Sequence, residues 1–139
     1  MPDGHDKFLA EVLTPEGEVF KGELVQLSTR TTVGEVGILA RHAPMVARLV
    51  PSELRLHRSE SEIDRYAAAE GWLEVFANRA LVLIGEARPP DELDASELRE
   101  RISDAEQRLS EAEEGTAGYE RAERDKARAE AFLEVAESQ

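Results

Sequence analysis

From residue 7 to residue 88 the apolar positions come in short bursts separated by turn residues. KFLAEVL is followed by the turn TPEGE and then by VFKGELVQLST; further on come ELRLHR, YAAAEGWLEVF and ALVLIGEA. In ELRLHR, Leu54 and Leu56 alternate with Arg55 and His57, the period of two that belongs to a half-buried strand. WLEVF puts Trp72, Glu74 and Phe76 on one face and Leu73 and Val75 on the other. ANR predicts a tight hairpin turn after WLEVF, because Asn78 tolerates left-handed backbone. Roughly seven to ten such strands, with no helical period long enough for a βαβ crossover, predict an antiparallel sandwich or barrel over residues 1–88.

Past Ala87 the period changes. Pro89 and Pro90 cannot extend a sheet interior. Leu98, Ile102, Ala105, Leu109 and Ala112 then recur every three or four residues, one apolar stripe of a helix. Asp94 is placed to cap it, with Glu97 in the capping-box position. EEGTAG ends this helix, Gly115 and Gly118 suiting a stop and a tight connection. A second helix runs from Tyr119 to about Glu137, with a stripe of Ala122, Ala129, Phe132, Leu133 and Ala136 interrupted near Asp125 and Lys126. The expectation is an α+β chain in which an antiparallel two-helix hairpin, residues 91–139, follows the sandwich. A stripe that is mostly alanine buries little apolar area, which predicts a hairpin weakly held to itself and to the sandwich. Charge pairs at i and i+4, such as Glu97 with Arg101 and Glu120 with Arg124, support each helix individually.

Charge sharpens the division. Residues 1–90 hold 14 acids and 10 bases, net −4; residues 91–139 hold 16 acids and 7 bases, net −9. The total of −13 argues against nucleic acid or an anionic lipid surface as the main ligand. With no cysteine, disulfides and Cys-ligated metals are excluded. No stretch reaches the ~18 apolar residues of a membrane span, and MPDGHDKFL lacks the basic and apolar parts of a signal peptide. The chain is read as unexported, meeting a membrane only through a partner.

Catalytic signals are missing. His5, His42 and His57 lie far apart, and no GxSxG, HExxH or cysteine nucleophile is present. VGEVG, with Gly34, Glu35 and Gly37, is neither a P-loop nor a dinucleotide fingerprint. It reads either as a pair of turn glycines or as an exposed loop that meets a partner through Glu35 and His42. Trp72 reads as core. Arg121, Arg124, Lys126 and Arg128 read as intrahelical salt-bridge partners, with an anionic nucleotide or acidic partner as the other possibility.

Three ordered blocks carry a resemblance. LTPEGEVFKGEL (Leu13–Leu24), VGEVGILARHAPMVARLVPSELRL (Val33–Leu56) and AAAEGWLEVFANRALVLIGEA (Ala67–Ala87), followed by LDASELRERI, resemble the epsilon subunit of F-type ATP synthases over essentially the whole chain. The chain departs from that pattern at Ala40, where proline is common, at Ser52 in place of the glycine of a Pro-Gly turn, and at Glu70-Gly71, where two glycines are usual. The resemblance implies a ten-stranded β-sandwich with a two-helix arm, no catalysis by the chain itself, and a place in the central stalk of a proton-translocating ATP synthase, peripheral on the cytoplasmic face of the bacterial membrane. It implies binding to the γ subunit, a docking loop matching Gly34–His42 on the c-ring with Glu35 and His42 as contacts, and an arm that reaches the α and β subunits and restrains ATP hydrolysis. Some relatives bind ATP through a pattern close to [IL]DxxRA. Here Leu93 and Asp94 match, Glu97 and Leu98 replace the arginine and alanine, and Arg121, Arg124 and Arg128 are the cations a nucleotide would meet. No cofactor is implied beyond ATP as a weak regulatory ligand.

Overall fold

The computed structural model describes residues 6–138; His5 lies outside them. Ten strands come first: β1 Phe8–Thr14, β2 Gly17–Leu24, β3 Gln26–Thr31, β4 Gly34–Ile38, β5 Met45–Leu49, β6 Ser52–His57, β7 Ile63–Ala68, β8 Gly71–Phe76, β9 Arg79–Ile84 and β10 Ala87–Arg88. A 3-10 turn at Pro90–Glu92 leads into α1, Ala95–Glu111, and α2, Ala117–Glu137. The strands pair in the order β10-β7-β6-β3-β5-β8-β9-β1-β2, with β4 off this path on β3.

The pairings are antiparallel with one exception: β1 and β9 run parallel, Leu9 opposite Arg79 through Leu13 opposite Leu83. A parallel pair needs a long connection, and the whole chain between these two strands supplies one. The period of two holds where it was read. Leu54, Leu56, Leu73, Val75 and Val82 point inward to a core shared with Phe8, Val12, Leu24, Leu27, Ile38 and Leu49. The ANR turn is a two-residue connection in which Ala77 (φ 48°) and Asn78 (φ 59°) are both left-handed, the geometry that matches strand twist.

Ser52 is not a surface turn residue. It opens β6, is buried, and its hydroxyl lies 3.4 Å from that of buried Thr29, so the polar pair satisfies itself inside the sandwich. Gly71 is required for close approach. A Cβ there would sit 1.9 Å from the carbonyl oxygen of Leu83 on the paired strand.

The Asp94 carboxylate accepts from the N–H groups of Ser96 (2.9 Å) and Glu97 (3.2 Å), capping α1. Glu97 does not complete the capping box; its carboxylate takes Arg101 at 2.6 Å. The second helix starts at Ala117, two residues before the expected Tyr119, because the Thr116 hydroxyl caps it by accepting from the N–H of Tyr119. Gly118 therefore lies inside α2, and Gly115 (φ 85°) makes the connection. The polar interruption at Asp125 and Lys126 crosses the hairpin: Asp125 meets Arg108 at 3.0 Å and Lys126 meets Glu106 at 3.4 Å. Arg124 turns from Glu120 toward Glu70 of the sandwich, 3.9 Å away.

The arm has a seat of its own. Ala67, Ala69, Leu98, Phe132 and Val135 form a second buried cluster that shares no residue with the sandwich core. All three alanines of Ala67–Ala69 are buried, since Ala68 faces the sandwich core while its two neighbours face the arm. The anchors are Phe132 and Val135, so the arm is held by more than the alanine stripe suggests, and Val135 was not in the expected stripe.

Candidate functional site

The stretch read as one loop from Gly34 to His42 is a strand followed by a loop. Gly34–Ile38 is β4, paired residue for residue with β3, and Gly37 sits inside that strand, not in a turn. Turn geometry flanks the strand: at the β3–β4 connection Gly34 has φ 131° and the Thr31 hydroxyl donates to the Gly34 carbonyl at 2.9 Å, and past β4 the His42 N–H donates to the Leu39 carbonyl at 3.2 Å. Val33 at the tip is 96% exposed. Glu35 lies beside this turn, exposed, with Arg30 at 3.2 Å. His42 lies beyond the other end of β4, which a five-residue strand sets roughly 14 Å away. Glu35 and His42 therefore belong to two ends of one hairpin arm rather than to one loop tip.

The loop around His42 is built to hold its shape. Arg41 is left-handed (φ 62°), and its N–H donates to Asn78 Oδ1 at 2.7 Å. Asn78 Nδ2 donates to the Lys7 carbonyl at 3.0 Å, so one side chain ties this loop, the β8–β9 turn and the start of β1 together. His42 itself is half-buried, with Nδ1 2.7 Å from the Ala43 carbonyl oxygen. Leu39 is exposed beside it.

A second surface runs from this end along the outer face of β5, β8, β9 and β1. Register places Trp72 between Arg48 and Leu83, and Leu83 opposite Leu13. Val46, Glu74, Leu81 and Glu11 form the next row. Trp72 is 50% exposed, Phe76 49% and Val46 70%, so Trp72 is not core. The alternation in WLEVF already divides the two faces; with Leu73 and Val75 inward, Trp72 has to point out. The Arg48 guanidinium lies 5.8 Å from the Trp72 ring centre, a cation–π contact that leaves the indole available. Large apolar side chains interleaved with charges on an uncovered sheet face suit a protein partner.

The nucleotide candidates are dispersed. Leu93 and Asp94 line a crevice of about 50 Å³ with Glu86, Arg88, Glu97 and Arg101, against the roughly 300–1,000 Å³ of ordinary small-molecule pockets. Arg128 lines an adjoining one of about 210 Å³. Arg121 and Arg124 line neither. Asp94 is occupied as a cap, Arg101 is paired with Glu97, and Arg128 with Glu70 and Glu86. Among the described residues no group of three or more His, Asp or Glu side chains is placed to hold a metal ion.

One titratable cluster lies at the far end of the arm's seat. Burial alone would raise the Glu53 carboxyl, but hydrogen bonds from Arg65 and Arg55 outweigh it and hold it below the usual range. Burial and the Arg55 charge push the neighbouring His57 down. Arg65 bridges Glu53 (2.6 Å) and the Ser138 hydroxyl (3.4 Å), fixing the end of α2 to β7.

The model of the ATP synthase delta/epsilon chain β-sandwich domain matches residues 7–90, the whole ten-stranded part. The chain belongs to the ATP synthase delta/epsilon chain family. An ATP synthase epsilon chain of Persephonella marina is 39% identical over 127 residues, covering 91% of this chain and 93% of that one. One of Halalkalibacterium halodurans is 36% identical over 125 residues, with 90% and 93% covered. A chain in a structure of the Euglena gracilis mitochondrial ATP synthase, containing OSCP, F1 and c-ring, shares the fold with a TM-score of 0.79 at 23% identity, covering 94% of this chain and 81% of that chain. Members of this family are accessory chains of ATP synthase, which agrees with the docking character of the surfaces above. Among the described residues no helix is long and apolar enough to cross a membrane.

Proposed function

We propose that this chain is a rotor subunit of the central stalk of a bacterial F-type ATP synthase, peripheral on the cytoplasmic face of the membrane, whose sandwich clamps the γ subunit and seats on the c-ring. The observation that supports it most is the uncovered apolar face of Val46, Trp72, Phe76 and Leu83 on a sheet whose opposite face is already packed. That face receives γ. The β3–β4 turn with Val33 and Glu35 and the loop with Leu39 and His42 meet the ring. The helical arm reaches the α and β subunits when it leaves its seat and restrains ATP hydrolysis from there.

Co-expression with γ tests the first part. Trp72→Glu should abolish co-purification, whereas Glu60→Gln, on the exposed β6–β7 loop, should leave it intact. Retention of γ by Trp72→Glu, with the sandwich still folded, would refute the clamp. For the arm, a chain ending at residue 90 should assemble and raise the ATPase rate of the complex. An unchanged rate removes the restraint.

A further inference from the structure

Resting on the reading of the arm as a movable element, we propose that an ion latch holds it on the sandwich, with Arg128 of α2 clamped between Glu70 and Glu86. The Arg128 Nε donates to one Glu70 carboxylate oxygen at 3.3 Å and Nη2 to the other at 2.9 Å. Nη1 lies 3.6 Å from Glu86. Arg124, one turn earlier on the same helix face, approaches Glu70 at 3.9 Å. A two-pronged arginine–carboxylate pair fixes geometry as well as charge.

The sandwich side of the latch is rigid. Glu70 joins β7 to β8, its carbonyl accepts from the Gly85 N–H at 3.1 Å, and the Glu86 carbonyl accepts from the Ala69 N–H at 2.9 Å. Gly85 makes the space: a Cβ there would stand 3.0 Å from Arg128 Nη2.

The latch is placed where it decides the arm's position. Arg108–Asp125, Lys126–Glu106 and Arg99–Glu137 lie within the hairpin and travel with it. Among the described residues, the ion pairs crossing from arm to sandwich meet at Glu70 and Glu86. The buried apolar seat beneath takes the methyl groups of Ala67 and Ala69 from the sandwich side, and at the far end of α2 Arg65 adds a hydrogen bond to the Ser138 hydroxyl. A hold of this kind weakens with salt, since the screening length falls to ~3 Å at about 1 M.

Because the chain has no cysteine, spin labels at Glu18→Cys and Glu113→Cys report the distance from sandwich to arm tip without interference. The full chain should show one short distance at low salt and a second, longer population at about 1 M. Arg128→Gln should raise the long-to-short ratio roughly ten-fold at low salt. Glu70→Gln, which removes the carboxylate that takes both prongs, should raise it likewise, and Phe132→Ala should populate the long distance at any salt. If Phe132→Ala opens the arm but Arg128→Gln does not, the latch is wrong and the movable arm stands. If no variant and no salt concentration lengthens the distance, the movable arm fails and the latch with it.

Discussion

Phe132 offers a direct measure of how tightly the arm sits. It is 2% exposed, packed among Ala67 and Ala69 of the sandwich and Leu98 and Val135 of the arm. Truncating a buried phenylalanine costs about 3 to 5 kcal/mol in a closed core. Here part of its surroundings, Leu98 and Val135, leaves with the arm, so the loss specific to docking is about 2 kcal/mol. That is roughly a 30-fold change in the docking equilibrium. A single cysteine at Ala69→Cys, buried under the arm, reports it: its thiol reacts with a soluble disulfide reagent only when the arm lifts. Phe132→Ala in that background should speed labelling about 30-fold in the absence of denaturant. Leu73→Ala, in the separate sandwich core, should lower global stability and leave that native-state rate nearly unchanged. Equal acceleration by both substitutions would show that the two clusters open as one unit, and no acceleration by Phe132→Ala would show that the arm is held elsewhere.

Glu53 predicts a pH dependence. Its folded pKa lies below the ordinary 4.5, so its contribution to stability is present above about pH 4.5 and is lost as the pH falls through the folded value; in acid titrations of urea stability, Glu53→Gln should flatten that part of the curve. Asn78→Ala removes bonds to the Arg41 N–H and the Lys7 carbonyl, which should lower stability by about 1 to 2 kcal/mol and raise amide exchange at Arg41; unchanged exchange there refutes the tie. Gly71→Ala should cost at least about 2 kcal/mol in chemical denaturation, because the new methyl meets backbone that a paired strand cannot move aside. Calorimetry with ATP should give no heat of binding at millimolar concentration, since Arg101 and Arg128 already hold carboxylates; clear binding would mean that these pairs open for phosphate.

What could be read in advance follows the range of the forces involved. Strand alternation in ELRLHR and WLEVF, the Asn78 turn and the Asp94 cap are local, set within a few residues of backbone, and they appear in place. The exposure of Trp72 is not legible in the sequence because it depends on whether a second layer covers that face, and alternation says only which side the residue takes. The Gly34–His42 stretch looked like a loop because its two glycines suggest turns, yet pairing with β3 makes Gly37 a strand residue, and that partner lies in another part of the chain. Glu70 had no helical or strand signature at all; its meaning comes from Arg128, 58 positions away.

The two outer faces of the sandwich differ in the side chains they present, and this difference separates internal from external contacts. Under the arm, the end of β7 and the residue after it offer alanines, Ala67 and Ala69, which let a helix approach closely and contribute little apolar area of their own beside Phe132 and Val135 of the arm. On β5, β8 and β9 the outward apolar residues are large, Val46, Trp72, Phe76 and Leu83, and nothing among the described residues covers them. A seat used by an element that must leave is best built from small residues and a charge pair that salt or a competing charge can break. A face meant for a permanent partner is best built from large anchors whose burial dominates association. On the function proposed above, the small-residue seat suits a reversible contact and the large-residue face a lasting one; leucines at positions 67 and 69, both fully buried against Phe132, should overpack the seat and lengthen the spin-label distance from sandwich to arm tip while leaving the face of Trp72 and Leu83 untouched.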